Sequence, residues 1–581
     1  MLAAHSEPVL LGEDISRTEH ADHSSSRDRR DSHVSSRAPW IVFTASLAGY
    51  VAIGLTLSLR FGYLLGDALS RTSAAQSVLL SRDPHVSAIG FIFTPLTALA
   101  QLPIVALSSW WPAITRWNIS GILVSAAFMA GVVVMVYGIC RDRGLSTRYC
   151  TIVTVVFAIN PMIVFYGANG MSEAVFLFFV CWAVRRLIRW VHTDDVHDLV
   201  VAGIALALAY LTRYDGVVAI AGAAVLVAAI TLMRRGRAQW RQMIRRAVLD
   251  GVLVAGPGFA AFVVWTGTSW LITGEALAQL SSGYGNAAIL AQSGGSTGTA
   301  LGNTVFAVTA IVVLGPALLV ALPVSAVLAL RRRDLEFLVG PVVFGAVLAF
   351  QAVSFIGGST FGFLRFYICA IPLAVVALVQ LVPPRGNPHT RREGAFHRPR
   401  PVRAMVPAGV GVGLVVLSVL AVPVTGWAMV QPKLAPQEYA LGYLLDPTPS
   451  ADDADAVAAR TIIDSFATER ELAAYLDAQN LPEGSVLVDT VYGFAVVAAS
   501  SNPSQFVVPS DQDFTTILND PGAAGVKYLL TVPNTGRGES DAVNRRYPTI
   551  YDNGATISTL AFEVPTTGAD QPNWRIYQVV D

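Results

Sequence analysis

Eleven apolar runs dominate the chain, and a helix that crosses a bilayer needs roughly 20 consecutive residues with few charges. They fall at about 40–59, 119–139, 149–166, 173–191, 198–212, 216–233, 247–272, 304–330, 337–356, 367–382 and 404–430. With no water to satisfy its peptide groups, each must form its hydrogen bonds within itself, as a helix. Of the 581 residues, 53 % are hydrophobic and 14 % charged, where soluble domains carry about 25 % charged residues. The expected class is a polytopic α-helical membrane protein with about eleven transmembrane helices.

Arginine fixes the expected orientation. With the N-terminus inside, the inner segments hold 26 arginines. The outer loops before residue 431 hold six: Arg60, Arg71, Arg82, Arg116, Arg213 and Arg365. Basic residues accumulate on the cytoplasmic side, so the chain reads as a multi-pass protein of the plasma (cytoplasmic) membrane. Its N-terminus is then cytoplasmic and its C-terminal part extracytoplasmic. The zero net charge hides a division: residues 431–581 carry 20 acids and 8 bases, and the rest of the chain the opposite excess. The balance gives no sign of a nucleic-acid partner.

Three domains follow. Residues 1–38, rich in Ser, His, Arg and Asp, read as a disordered cytoplasmic tail. The apolar run after them has no cleavage-site pattern and reads as a retained anchor. Residues 39–430 form the transmembrane domain, with a long first outer loop at 60–118 and another at 273–303. Residues 431–581 read as an extracytoplasmic α/β domain: a helical stretch at 455–479, then SVLVDT (485–490), QFVVPS (505–510) and VKYLLTV (526–532) in β-α-β-α-β rhythm. ISTLAFEV (557–564) and WRIYQVV (574–580) read as a closing pair. No glycine-rich phosphate loop follows these strands; a lid or acceptor-recognition role fits better than nucleotide binding.

Chemistry gathers at the outer surface. Asp67 follows the first span, and Arg71 lies four residues on, on the same helical face. The stretch 68–82 reads as an interfacial helix, and Thr94-Pro95 as the start of a second. Trp110, Trp111 and Trp117 mark the return to the bilayer interface. Ser172 and Glu173 open the fourth span, where a cap and a dipole-complementing acid are the plain structural account. LTRYDG places Arg213, Tyr214 and Asp215 in a tight turn between two spans, and Arg365 and Tyr367 open the tenth. Arginines on this side run against the inside bias, and an anionic ligand supplies a reason, because guanidinium grips phosphate bidentately. A surface ion pair is the competing explanation for Asp67 and Arg71. His85 in DPH, alone among outer-loop histidines, fits a turn better than a catalytic role. Cys140, Cys150, Cys181 and Cys369 lack metal-ligand spacing with histidine and read as small packing residues.

These residues carry a resemblance. The acid after the first span (Asp67), the FTPL of the FIFTPL segment (Phe93 to Leu96), the Ser172-Glu173 pair and Arg213 closing an LTR helix are similar in order and sidedness to the GT-C membrane glycosyltransferases. The mannosyltransferases among them offer the nearest likeness, over roughly residues 40–370. The first outer loop has no D-x-D, which leaves divalent metal dependence and the subfamily open; the sequence itself requires no cofactor.

The resemblance implies a polyprenyl-phosphate sugar as donor, mannose foremost, and an extracytoplasmic glycan, lipid or protein as acceptor. It implies Asp67 as general base, with inversion at the anomeric carbon. Arg213, Arg365 and Arg71 would hold the donor phosphate. Glu173, His85, Tyr214, Asp215 and Tyr367 would orient the substrates. The loop 273–303, with Tyr284 and Asn286, would close over the site. The alternative is a secondary transporter or flippase. Such proteins place ionisable groups at the bilayer midplane on repeated halves, whereas these spans are nearly uncharged at their centres and show no repeat. A non-catalytic scaffold would leave the charged residues unexplained.

Overall fold

The computed structural model describes residues 22–233, 240–292, 298–332, 334–382, 408–446 and 454–580. Helix α1, Asp22–Leu55, ends in a π-helical turn at Thr56–Arg60. α2 is Gly66–Leu80, and α3, Ile119–Asp142, follows the first long loop. Then come α4 (Thr147–Ala158), α5 (Pro161–Ala168), α6 (Glu173–Thr193), α7 (Val196–Tyr210), α8 (Gly216–Met233) and α9 (Trp240–Thr273). Beyond the second loop lie α10 (Ala300–Leu314), α11 (Leu318–Arg332), α12 (Val339–Ile356), α13 (Ala370–Leu381) and α14 (Ala408–Met429).

Among the described residues, six helices are long and apolar enough to cross a membrane, or eight if each of two bent pairs is one span. The bends have local causes. At α4–α5 the turn is 63°, where Asn160 caps α5 by accepting from the Met162 N–H at 3.1 Å and Pro161 supplies the N1 residue. At α10–α11 it is 86°, across Gly315-Pro316. The other three apolar runs fail on length or charge: α7 and the apolar part of α14, Val415–Met429, are short, and α6 carries Arg185, Arg186 and Arg189 in its second half.

Packing is close where small residues allow it. A Cβ on Gly54 of α1 would stand 2.3 Å from the Ala168 carbonyl oxygen at the end of α5 and 2.6 Å from Ile122 of α3. The three helices meet there because position 54 has no side chain. At the opposite end, Glu336 fastens three segments: Arg143 Nη1 lies 2.6 Å and His192 Nε2 2.8 Å from its Oε2, while Arg143 Nη2 donates to the Gln380 carbonyl at 2.7 Å.

Of the expected cytoplasmic tail, residues 1–21 lie outside the described residues; from Asp22 the chain is helical, with Pro39 inside the helix. The four cysteines are free and buried.

The C-terminal portion contributes helices α15 (Ala454–Ile463) and α16 (Ala467–Ala478), then β1 (Val486–Leu487), α17 (Thr490–Ala499), β2 (Phe506–Val507), β3 (Tyr528–Thr531), β4 (Ser558–Val564) and β5 (Trp574–Val579). The sheet order is β2-β1-β3-β5-β4. The first three strands are parallel, and β5 runs antiparallel to both β3 and β4. Two apolar layers cover it, one around Phe506, Trp574 and Ile576, the other around Leu529, Ile550 and Tyr577.

This portion seats directly on the first long loop. Leu64 and Leu69 pack with Phe466, Ala495 and Ala498, so α17 lies against α2. The expected interfacial helix is therefore a protein-covered one: Ala68, Leu69, Thr72, Ala75, Gln76 and Val78 are all buried. Its alternation of small and polar residues serves close packing, with the Thr72 hydroxyl 2.7 Å from both Gln101 Oε1 and Asn118 Oδ1. Arg116 Nε donates to the Ala499 carbonyl at 2.8 Å, and Arg82 Nε reaches Asp511 Oδ2 at 3.3 Å. The second loop joins in through Tyr284, whose hydroxyl donates to Asp489 Oδ2 at 2.8 Å.

Candidate active site

The end of the bundle that faces the C-terminal portion gathers the charged residues. Asp67 stands in the first turn of α2, where a carboxylate suits the helix dipole. Arg365, from the short 3₁₀ turn before α13, donates to its Oδ2 through Nη2 at 3.0 Å. The Arg365 Nε lies 3.7 Å from Glu173 Oε1. Arg213 Nη1 donates to that same Glu173 oxygen at 2.8 Å, and its Nε to Asp215 Oδ2 at 3.0 Å. Carboxylates and guanidiniums thus alternate along one line, Asp67–Arg365–Glu173–Arg213–Asp215.

Aromatic walls enclose the line. The Arg365 guanidinium lies 4.9 Å from the Phe363 ring centre and 5.3 Å from that of Phe366. Arg213 lies 5.6 Å from the centre of the same Phe366 ring. Glu173 and Arg365 are buried, whereas the Asp67 side chain is 41 % exposed. Asp67 is thus the acid of the group most open to solvent, with Asp215 at 13 % next. Burial pushes its carboxyl up, but Arg365, Arg71 and Arg213 outweigh that and hold it below the usual aspartate range. Burial also lowers Arg213, and Asp215 and Glu173 raise it by more.

Arg71 departs from expectation. Instead of pairing with the Asp67 carboxylate, its Nη1 donates to the Asp67 backbone carbonyl at 2.7 Å, and the guanidinium lies 4.2 Å from the Phe93 ring centre. It is buried, its Nε has no hydrogen-bond partner among the described residues, and no carboxylate pairs with it there. Burial presses its pKa down against the pull of Asp67 and Glu173. The FIFTPL segment that supplies Phe93 is anchored by the Leu96 N–H, which donates to the Leu211 carbonyl at 2.9 Å in the turn carrying Arg213.

The remaining expected residues divide. Tyr214 accepts from Trp265 Nε1 at 3.2 Å and donates to the Phe91 carbonyl at 3.5 Å, so it braces the loop and does not point into the charged line. Tyr367 is buried, with a hydroxyl that has no partner among the described residues. His85 is held by Asp83, its Nδ1 2.7 Å from the Asp83 carbonyl, in a turn that docks on the C-terminal portion through Arg82 and Asp83. Ser172 makes no side-chain cap; its hydroxyl lies 3.5 Å from Arg213 Nη1. Thr94 likewise caps nothing with its side chain, and the turn of helix there starts from Pro95. Asn286 heads a short helix, Asn286–Gln292.

Sequence reasoning missed Glu438, fully buried beneath this end, which accepts a hydrogen bond from the Tyr166 hydroxyl. Its only signal was an acid just beyond the last apolar run, the same cue that drew notice to Asp67. Among the described residues no cluster of three or more His, Cys, Asp or Glu side chains is placed to hold a metal ion.

Residues 115–265 match the family model described as dolichyl-phosphate-mannose-protein mannosyltransferase. Over those residues the match agrees with the resemblance to the GT-C membrane glycosyltransferases. No curated protein sequence matches. Among solved structures, the S. cerevisiae protein O-mannosyltransferase Pmt1-Pmt2 complex bound to the sugar donor has a TM-score of 0.29 at 13 % identity, covering 40 % of this chain and 34 % of that one. This chain thus spans about a third of that yeast chain's length. AglB from Archaeoglobus fulgidus, an oligosaccharyltransferase in complex with an inhibitory peptide and a dolichol-phosphate, has a TM-score of 0.40 at 12 % identity, covering 85 % and 69 %. The Archaeoglobus fulgidus oligosaccharyltransferase tethered to an acceptor peptide has a TM-score of 0.41 at 13 % identity, covering 93 % and 74 %.

Proposed function

We propose that this chain moves a sugar, mannose foremost, from a polyprenyl-phosphate donor to an extracytoplasmic glycan, lipid or protein acceptor, with inversion. In this reading eleven helices cross the plasma membrane, and the charged line and the C-terminal α/β domain face outward. The observation that carries it is the pairing pattern of the three arginines. Arg213 and Arg365 are spoken for by carboxylates, while Arg71 is a buried cation without one, one helical turn from a solvent-reached carboxylate. A buried cation that no carboxylate pairs with directly among the described residues fits an anion that arrives with the substrate.

Arg71 is the seat for the donor phosphate, with Arg365 and Arg213 supplying the field behind it. The acceptor hydroxyl oxygen attacks the anomeric carbon from the face opposite the phosphate. The bond between that carbon and the phosphate oxygen breaks, its electron pair leaving with the phosphate, and the acceptor proton passes to Asp67. Asp67 stays ionised because its arginine neighbours hold it low. A base this weak suffices because phosphate leaves readily and gains negative charge where cations already stand. Glu173 orients a hydroxyl through Oε2, which has no partner among the described residues.

The test is transfer from a panel of labelled polyprenyl-phosphate sugars in proteoliposomes, with acceptors from cell-envelope extracts, comparing wild type with Asp67→Asn. The expected result is transfer by wild type and a loss of about 10²–10⁴-fold in Asp67→Asn with donor binding retained. Donor crossing the bilayer with no transfer by either protein would replace this reading with a flippase. Equal transfer by both would keep the enzyme and discard Asp67 as its base.

A further inference from the structure

Glu438 has no part in the mechanism above. It belongs to the stretch 430–446 that leads from the last apolar helix toward the C-terminal portion, yet its side chain turns back into the bundle and is wholly enclosed. The Tyr166 hydroxyl donates to its Oε1, and its Oε2 has no partner among the described residues. The adjoining residue is gripped as well. The Tyr63 hydroxyl donates to the Gln437 carbonyl, and the Tyr63 ring stacks on Phe165 at 5.9 Å. Two neighbouring aromatics of α5, Phe165 and Tyr166, thereby clamp residues 437–438 to the bundle.

No arginine of the charged line pairs with Glu438. Arg213 takes Glu173 and Asp215, Arg365 takes Asp67 and Glu173, and Arg71 takes the Asp67 carbonyl. An enclosed carboxyl that no cation pairs with among the described residues is favoured uncharged, because burial penalises the ionised form. Burial accordingly raises Glu438 above the usual glutamate range, Tyr166 and Arg365 pull it back, and Glu173 adds to the rise. Downstream of Tyr166, the turn 169–172 ends on Glu173. That turn is held by the Gly170 N–H donating to Ser125 Oγ at 3.0 Å and by Asn118 Nδ2 donating to the Asn169 carbonyl at 3.1 Å.

Building on the glycosyltransferase reading, we propose that Glu438 is a positioning residue: as an uncharged acid it fixes Tyr166, and through α5 the turn that presents Glu173 to Arg213 and Arg365. Its ionisation sets a second anion within reach of Arg365 and draws that guanidinium from Asp67. The titratable and charged groups facing Glu438 are Tyr63, Tyr166, Glu173 and Arg365. Tyrosine and arginine ordinarily change charge only near pH 10 or above, and burial moves Glu438 up from the usual glutamate range toward the working range.

The experiment compares wild type, Glu438→Gln and Glu438→Ala, as full chains, in the transfer assay across pH. Glu438→Gln keeps both shape and neutrality. Its kcat/KM relative to wild type is expected to be about one at acid pH and to rise at least about threefold toward alkaline pH, as the wild-type acid ionises. Glu438→Ala is expected to lose about tenfold throughout. A Gln-to-wild-type ratio that stays flat with pH, or a loss in Glu438→Gln as large as in Glu438→Ala, overturns the proposal. Should wild type transfer no sugar, the glycosyltransferase reading fails and thermal unfolding decides the inference by itself. Because the folded state holds a proton that the unfolded chain releases, wild-type Tm falls relative to Glu438→Gln as pH rises through and above the ordinary carboxylate range. A constant Tm difference overturns it.

Discussion

Among single residues, the three arginines separate by partner, and their substitutions are expected to separate likewise. Arg71→Gln removes the cation that has no carboxylate and leaves no charged side chain stranded. It is expected to raise the donor KM by about 10–100-fold with little change in folding, as for loss of a charge-assisted hydrogen bond. Arg213→Gln removes the nearer of the two guanidiniums on buried Glu173 and the partner of Asp215, and costs stability before it costs binding. Thermal unfolding measured beside donor titration distinguishes the two. Asp511, enclosed against Arg82 with no side-chain exposure, gives a prediction in pH. Burial pushes its carboxyl up to about 6, against the Val508 N–H and Arg82, which lower it. Between the ordinary aspartate pKa near ~3.9 and that value, the folded state holds a proton the unfolded chain has released, so stability falls as pH rises. Asp511→Asn is expected to be more stable than wild type at pH 7, by on the order of 3 kcal/mol at ~1.4 kcal/mol per unit, and no more stable at pH 4. The charged residues that form the line were readable because each stands against the arginine bias at an end of an apolar run. Glu438 was not, since only the fold reveals that its stretch turns inward. The competing ion pair of Asp67 with Arg71 does not form, because four-residue spacing on a helix brings a side chain as near to a backbone carbonyl as to a carboxylate.

Elements were legible in proportion to how far local chemistry determines them. Asn160-Pro161 and Gly315-Pro316 interrupt their apolar runs, and the chain bends at both. The strand segments at 485–490, 505–510 and 526–532 contain β1, β2 and β3, and the closing pair is β4 and β5. The surroundings of α2 were beyond local reading. Its alanines, serines and threonines suit a lipid–water boundary and a tight helix contact equally, and what decides is Ala495 and Ala498 of α17, more than 400 residues away in sequence. The contact of α1 with α5 supplies the element-scale prediction. Gly54→Ala places a methyl 2.3 Å from the Ala168 carbonyl oxygen. It is expected to cost about 1–3 kcal/mol and to lower transfer too, because α5 leads into the turn bearing Glu173. Thermal unfolding in detergent and the transfer assay check both parts.

At the scale of the molecule, the C-terminal portion covers the first loop and reaches the second, so the proposed site lies between the bundle and a lid of its own chain. Orientation is checked on intact cells. Val457 is 48 % exposed, and the native cysteines are buried. A Val457→Cys protein is expected to react with a membrane-impermeant thiol reagent without permeabilisation; reaction only after permeabilisation reverses the topology. The pairing of Asp67 with Arg365 spans 298 positions of chain, and that of Tyr166 with Glu438 spans 272. At about 5–20 residues per second, a ribosome spends on the order of 15–60 s between delivering Asp67 and delivering its partner. During that interval Arg213 already has Glu173 and Asp215, but the Asp67 carboxylate still lacks Arg365 and the charged line is open at that link. On the proposed reading, completion of synthesis is what arms the site, and a chain cut short before Arg365 is expected to be inactive in the transfer assay.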